Sequence, residues 1–188
     1  MQHAKKVSKR TRVITGTTLA AAIAVGGFGA YSASAADTEP AAQAAAKPAA
    51  AKAGNTYQSK HLTVAAATDA AEAVLKAAQK ENQKVSVAVV DRNGNTIVEL
   101  RGDGAGPQSP ESAVKKAYTA VSWNAPTSEL TKRLEQTPNL KDIPGTLFLA
   151  GGAPVTADNA PIAGIGVAGA PSGDLDEKFA QAGVATLK

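Results

Sequence analysis

The stretch VSVAVVDRNGNTIVELR, residues 85–101, limits the fold more than any other part of the chain. Two runs rich in β-branched residues flank Asn93-Gly94, and Asn-Gly between such runs is the strongest short-range hairpin signal. The sequence predicts one strand over residues 85–91, a turn from Arg92 to Asn95, and a return strand over Thr96–Arg101.

Helical segments surround this hairpin. Residues 62–83 carry Thr63 as N-cap and an apolar face of Val64, Ala67, Ala71, Val74, Leu75 and Ala78, mostly small, so close approach to a sheet is expected. After a glycine-rich loop over residues 102–108, Ser109–Trp123 reads as a helix with Ser109 as N-cap and Pro110 at the first helical position. Val114, Ala117, Tyr118 and Val121 form its apolar stripe. Lys115, Lys116, Thr119 and Ser122 lie off that stripe, which leaves two cations and two hydroxyls for a ligand or partner. Asn124-Ala125-Pro126 ends this helix, and a shorter one follows over residues 128–136.

Residues 146–150 (TLFLA) read as a short apolar strand and residues 162–168 as a buried one, with Val155 starting a further short strand between them. Ser172 caps a last helix running to about Thr186, with Leu175, Phe179, Ala182 and Val184 facing inward. Strands joined by hairpins and interleaved with helices point to an α+β fold, an antiparallel sheet with helices packed on it.

The N-terminus reads as a secretory leader. Lys5, Lys6, Lys9, Arg10 and Arg12 precede an apolar run over residues 13–31, and Ala33-Ser34-Ala35 supplies the small-residue cleavage pattern, so residues 1–35 are expected to be a signal peptide. The run approaches the ~20 residues that span a bilayer, so an uncleaved anchor is the alternative. Gly26, Gly27 and Gly29 weaken that reading as a helix. Lys9-Arg10 resembles a degenerate twin-arginine pair, which leaves the export route, Sec or Tat, open.

Residues 36–60 are Ala/Pro/Lys-rich with almost no large apolar side chain, the composition of a disordered linker, and the folded domain is expected over residues 61–188. Export implies a secreted, extracellular protein, associated with the cell wall at most. Without its leader the chain has 15 basic and 16 acidic residues, a net charge of −1 in place of +4. The basic footprint needed for nucleic-acid binding therefore disappears. There is no cysteine, which excludes disulfides, thiol chemistry and thiolate metal sites.

Few residues are equipped for chemistry. Gly164-Ile-Gly-Val-Ala-Gly169 matches G-x-G-x-x-G, but the chain ends 19 residues later without the second strand and acidic residue that a dinucleotide site needs. These glycines are instead expected to let a helix approach the sheet closely. His61 is the one histidine beyond the leader, so no Ser/His/Asp triad assembles and a zinc site is a poor fit. No catalytic residue is assigned. Asp69 with Glu72, and Asp174 with Glu177, each place two carboxylates on one helix face, a candidate pair of hard ligands for iron; solvated helix surface is the plainer alternative. Lys115 and Lys116 beside Tyr118, Thr119 and Trp123, with Arg101 at the end of its strand, form a cationic patch suited to an anionic planar ligand.

The hairpin Val90–Asn95, the loop Asp103-Gly104-Ala105, the helix core Lys116-Ala117-Tyr118-Thr119-Ala120, Gly151-Gly152-Ala153-Pro154 and Ile165-Gly166-Val167-Ala168-Gly169 occur in the order seen in GlcG/HbpS-type haem-binding proteins. The chain resembles that family over residues 62–187. The resemblance implies a profilin-like α/β/α sandwich, a homo-oligomer, often an octamer, and binding of haem b. It also implies iron sequestration, haem degradation in some members, and in secreted members an association with a membrane sensor histidine kinase of a two-component system that responds to redox stress.

Haem is usually held by His, Met, Cys or Tyr. Beyond the leader the chain has no Met or Cys, so the candidates are Tyr118, an oxygen such as Thr119, a lysine, or His61 of a neighbouring subunit. Among these the reading favours Thr119 with Lys116 beside it.

Overall fold

The structure is a computed structural model that describes residues 48–188. The expected leader and residues 36–47 of the linker lie outside the described residues. Four strands and four α-helices follow one another as α1 (Val64–Lys80), β1 (Ser86–Asp91), β2 (Thr96–Arg101), α2 (Ser109–Trp123), α3 (Thr127–Arg133), β3 (Gly152–Ala157), β4 (Ala160–Ala168) and α4 (Gly173–Ala185). The strands form a single antiparallel sheet in the order β2-β1-β4-β3. Two hairpins are thus joined side by side through β1 and β4. The α+β expectation and the α/β/α layering hold.

Alternation along the strands divides the core into two. Val87, Val89, Ile165, Val167, Ala153 and Val155 face α1 and α4, whose Val74, Ala70, Ala71, Phe179 and Ala180 complete the larger cluster. Ala88, Val90 and Ala168 face the opposite way, onto Ala113, Ala117 and Val121 of α2. The α2 side is thin because both surfaces are small. A Cβ built on Gly166 would lie 2.0 Å from the Ala113 carbonyl, on Gly164 2.2 Å from that of Ala117, and on Gly152 2.5 Å from that of Lys116. Gly164 and Gly166 of the apparent dinucleotide motif therefore serve helix–sheet approach, as expected, whereas Gly169, with a φ of +126°, lies against Lys84 and Val85 just before β1.

The hairpin is held differently from a two-residue Asn-Gly turn. The Asp91 carboxylate accepts hydrogen bonds from the Asn93 and Asn95 amides at 2.8 and 2.9 Å and from the Asn95 side chain. Gly94 alone in the turn takes a positive φ, +90°. The pairing shifts from Val89↔Val98 to Val90↔Thr96, so Ile97 is an extra residue, a bulge on the edge strand. Thr63 and Ser172 cap α1 and α4 as expected, accepting from the Ala66 and Leu175 amides at 3.2 Å each.

Three expectations need correction. Ser109 is the first residue of α2 rather than its cap. Its buried hydroxyl donates to the Gly106 carbonyl at 2.7 Å and lies 2.8 Å from the Ser86 hydroxyl, tying the helix start to β1. Residues 146–150 are not a strand. Their apolar character serves Phe148, which is buried beside Ala125 and Leu130 and meets the Trp123 ring edge-on, with centroids 5.2 Å apart. The strand starts later, at Gly152, and includes Pro154, which a sheet edge tolerates because no ladder donor is lost there. Finally, α2 is buried beyond the predicted stripe, because Ala113, Lys116, Thr119 and Ala120 are buried as well.

Candidate functional site

Lys116 and Thr119 leave the predicted polar face of α2 for the interior. Lys116 runs from α2 to the end of the sheet where β3 begins and β4 ends. There its Nζ donates to the Val167 carbonyl at 3.0 Å and to Asp176 Oδ2, on α4, at 2.8 Å. The two charged side chains are only 6% and 4% exposed. Asp176 Oδ1 accepts from the Ala170 amide at 2.9 Å, so both carboxylate oxygens are engaged. Burial pushes the Asp176 carboxyl above its ordinary range, against the opposing pull of the Lys116 hydrogen bond and charge.

Gly151 makes room for this bridge. Its φ is +130°, and a Cβ there would fall 2.6 Å from Lys116 Nζ and 2.9 Å from Asp176 Cβ.

Thr119 is fully buried, and its hydroxyl is used twice. It donates to the Lys115 carbonyl and accepts from the Leu147 amide, at 2.7 and 2.8 Å. It therefore fastens the segment that carries Phe148 and Leu149 against α2. Lys115 is half-buried at most and pairs with Glu111 one turn earlier at 2.6 Å. The Tyr118 ring lies over Gly94 of the hairpin turn and Gly145, away from the bridge. Arg101 donates to the Ala105 carbonyl and closes the glycine loop, with β1 between its strand and the Val167 strand. The cationic patch expected of these residues is not assembled in the protomer.

The two carboxylate pairs also part ways. Asp69 and Glu72 are exposed on α1, and Glu72 meets Lys76 at 3.2 Å. Glu177 turns from Asp174 to receive the start of α3. It accepts from the Ser128 amide at 2.9 Å and its hydroxyl at 2.5 Å, and from the Gly151 amide at 3.3 Å. Asp174 stays exposed. Among the described residues, no three His, Cys, Asp or Glu side chains gather as a metal site.

A cavity of about 520 Å³ opens beside the bridge, walled by Lys116, Ser128, Lys132, Leu149, Ala150 and Asp174. That volume is in the range of small-molecule sites. Leu149, 55% exposed, supplies an apolar wall. Sequence reasoning missed Ser128, Lys132, Leu149 and Asp176 as parts of this place. For Asp176 a signal existed, since it repeats with the buried Phe179, Ala180 and Gly183 at helical spacing.

The chain matches the family model described as haem degrading protein HbpS-like over residues 62–185. A crystal structure of Streptomyces reticuli HbpS, with two glutamates replaced by aspartate, is 72% identical, covers 77% of this chain and 99% of its own, and superposes with a TM-score of 0.75. PduOC, crystallised in complex with haem, is 27% identical, covering 68% of this chain and 95% of its own with a TM-score of 0.62. An uncharacterised 15.0 kDa protein from the dhaT–dhaS intergenic region of Citrobacter freundii is 34% identical over 57% of this chain and 80% of its own length. With the fold and the sequence match in agreement, the chain belongs to the family described as haem degrading protein HbpS-like.

Proposed function

We propose that this is a secreted haem- and iron-binding protein that reports haem or redox stress to a membrane sensor kinase of a two-component system. The observation that carries the haem reading is the cavity at Lys116, in a chain that matches the HbpS-like family and is similar in fold to PduOC, a protein crystallised with haem. Leu149 and Ala150 offer an apolar wall to the macrocycle, and Lys116 and Lys132 offer cations to its acidic edge. The cavity wall holds no histidine, methionine or cysteine, so the donor set fits a porphyrin held by its faces and carboxylates, with weak axial ligation. Thr119 acts here by anchoring Leu147 and so shaping the wall that carries Leu149.

Haemin titration of the purified domain, followed at the Soret band, tests this reading, and saturable binding is the expected outcome. No change in the band on titration overturns it. Repeating the titration with a reductant separates storage from degradation, the activity in the family's description. Loss of the Soret band with a biliverdin-like product and released iron identifies an enzyme.

For iron itself we propose the exposed Asp69–Glu72 pair, with further oxygen ligands from a second copy, because hard cations take six or more. Asp69→Asn with Glu72→Gln is expected to abolish ferric iron uptake while leaving haemin binding intact.

A further inference from the structure

We propose that Lys116 is the seat for a carboxylate of the bound porphyrin, held in place for that task by Asp176 and Gly151, with Lys132 taking the second carboxylate. The inference rests on the haem reading above and deepens it. An ammonium group has three N–H donors. Two are spent inside the protein, on the Val167 carbonyl and Asp176 Oδ2, and the third is left for the cavity that Lys116 lines.

A lysine on flexible methylenes would ordinarily lose much rotamer freedom on binding a ligand. Lys116 has already lost it, because it is 5% exposed and threaded past a glycine whose Cβ would collide with Nζ. The donor is therefore preorganised, and preorganisation converts directly into affinity.

Charge count alone would argue against an anion here, since Asp176 already neutralises Lys116, and Asp174 and Glu135 also border the cavity. Asp174 and Glu135 are exposed, where the high dielectric of water weakens their repulsion of a ligand. What Lys116 offers is a hydrogen-bond donor rather than a net charge. Lys116 is buried, where a charge-assisted hydrogen bond keeps most of its strength. One buried and one exposed lysine face a ligand with two carboxylates, and Leu149 and Ala150 meet its apolar face.

The test compares haemin with haemin dimethyl ester, which has the same ring and iron but no free carboxylate, by absorbance titration of the wild type, Lys116→Met and Lys132→Met. The wild type is expected to bind the free acid about 10-fold or more tightly than the ester, the worth of a hydrogen bond to a charged group. Lys116→Met is expected to bring the two within about 3-fold by weakening only the acid, and Lys132→Met to do so in part.

Equal binding of acid and ester by the wild type overturns the carboxylate seat and leaves the haem reading standing. Failure of both to bind overturns the haem reading, and this inference falls with it. A free-acid preference that survives in Lys116→Met overturns the assignment to Lys116. If Lys116→Met loses its far-UV circular dichroism, Lys132→Met decides, because Lys132 is exposed and its removal spares the core. An unchanged preference there is then the overturning result.

Discussion

Lys116 and Asp176 illustrate how one buried pair sets expectations for two opposite substitutions. Removing the carboxylate strands a lysine in the interior, so Asp176→Asn is expected to cost about 3–5 kcal/mol in urea unfolding. Lys116→Met leaves a carboxyl that burial already raises above about 3.8, and such a group relieves itself by taking a proton. Because the native state then binds that proton more tightly than the unfolded chain, Lys116→Met is expected to gain stability as pH falls from neutral through the raised folded value toward about 3.8. Melting temperatures across that range check the sign, and a variant that loses stability on acidification contradicts it.

Thr119 gives a second case. Thr119→Val keeps the shape but leaves the half-buried Leu147 amide without its acceptor, for an expected loss of about 1 kcal/mol. Haemin affinity should fall with an unmoved Soret band, whereas a shifted band places the hydroxyl on the iron.

At the scale of elements, the glycine floor beneath α2 gives the sharpest expectation. Gly166→Ala drives a methyl into the Ala113 carbonyl, and backbone cannot rotate away as a side chain does. A cost of about 3 kcal/mol is expected in thermal unfolding, at the upper end for overpacking. The hairpin carries its own pH signature. Burial tends to raise Asp91, but hydrogen bonds from Asn95 and Asn93 prevail and hold it below its ordinary value. Its contribution is present above about pH 3.8 and is lost as pH falls through the lowered folded value. Asp91→Ala is expected to flatten the acid limb of the stability–pH curve, and an unchanged limb refutes the assignment.

These elements also show what was legible in the sequence. The hairpin, three helices and the last strand were readable because their apolar spacing reports one buried face each. Residues 146–150 misled because an apolar run announces burial without saying whether the backbone pairs. The interior role of Lys116 was hidden by treating charge as a sign of solvent. Yet Lys116 repeats with Ala113, Ala117 and Ala120, as Asp176 does with Phe179, Ala180 and Gly183. Two opposite charges, each set among small buried residues at helical spacing, are a legible sign of a buried pair. Their partnership across 60 residues was not, because it depends on tertiary placement.

For the whole molecule, the second copy proposed for the iron pair requires a homo-oligomer, in which exposed apolar side chains such as Tyr57, Val64 and Leu149, 84%, 64% and 55% exposed, would find cover. Size-exclusion chromatography with light scattering is expected to give a multiple of the single chain's mass. A monomer at micromolar concentration removes the second copy invoked for the iron pair.

The floor of bare glycines under α2 has a mechanical consequence. A helix seated on side chains can slide by letting them change rotamer, but one seated on backbone has nothing to yield. With its Ala113, Lys116 and Ala117 carbonyls set against Gly166, Gly152 and Gly164, α2 is keyed to β3 and β4. A load taken up at Lys116 therefore displaces helix and strands as one rigid lever, and the far end of that lever carries Trp123 and, against it, Phe148.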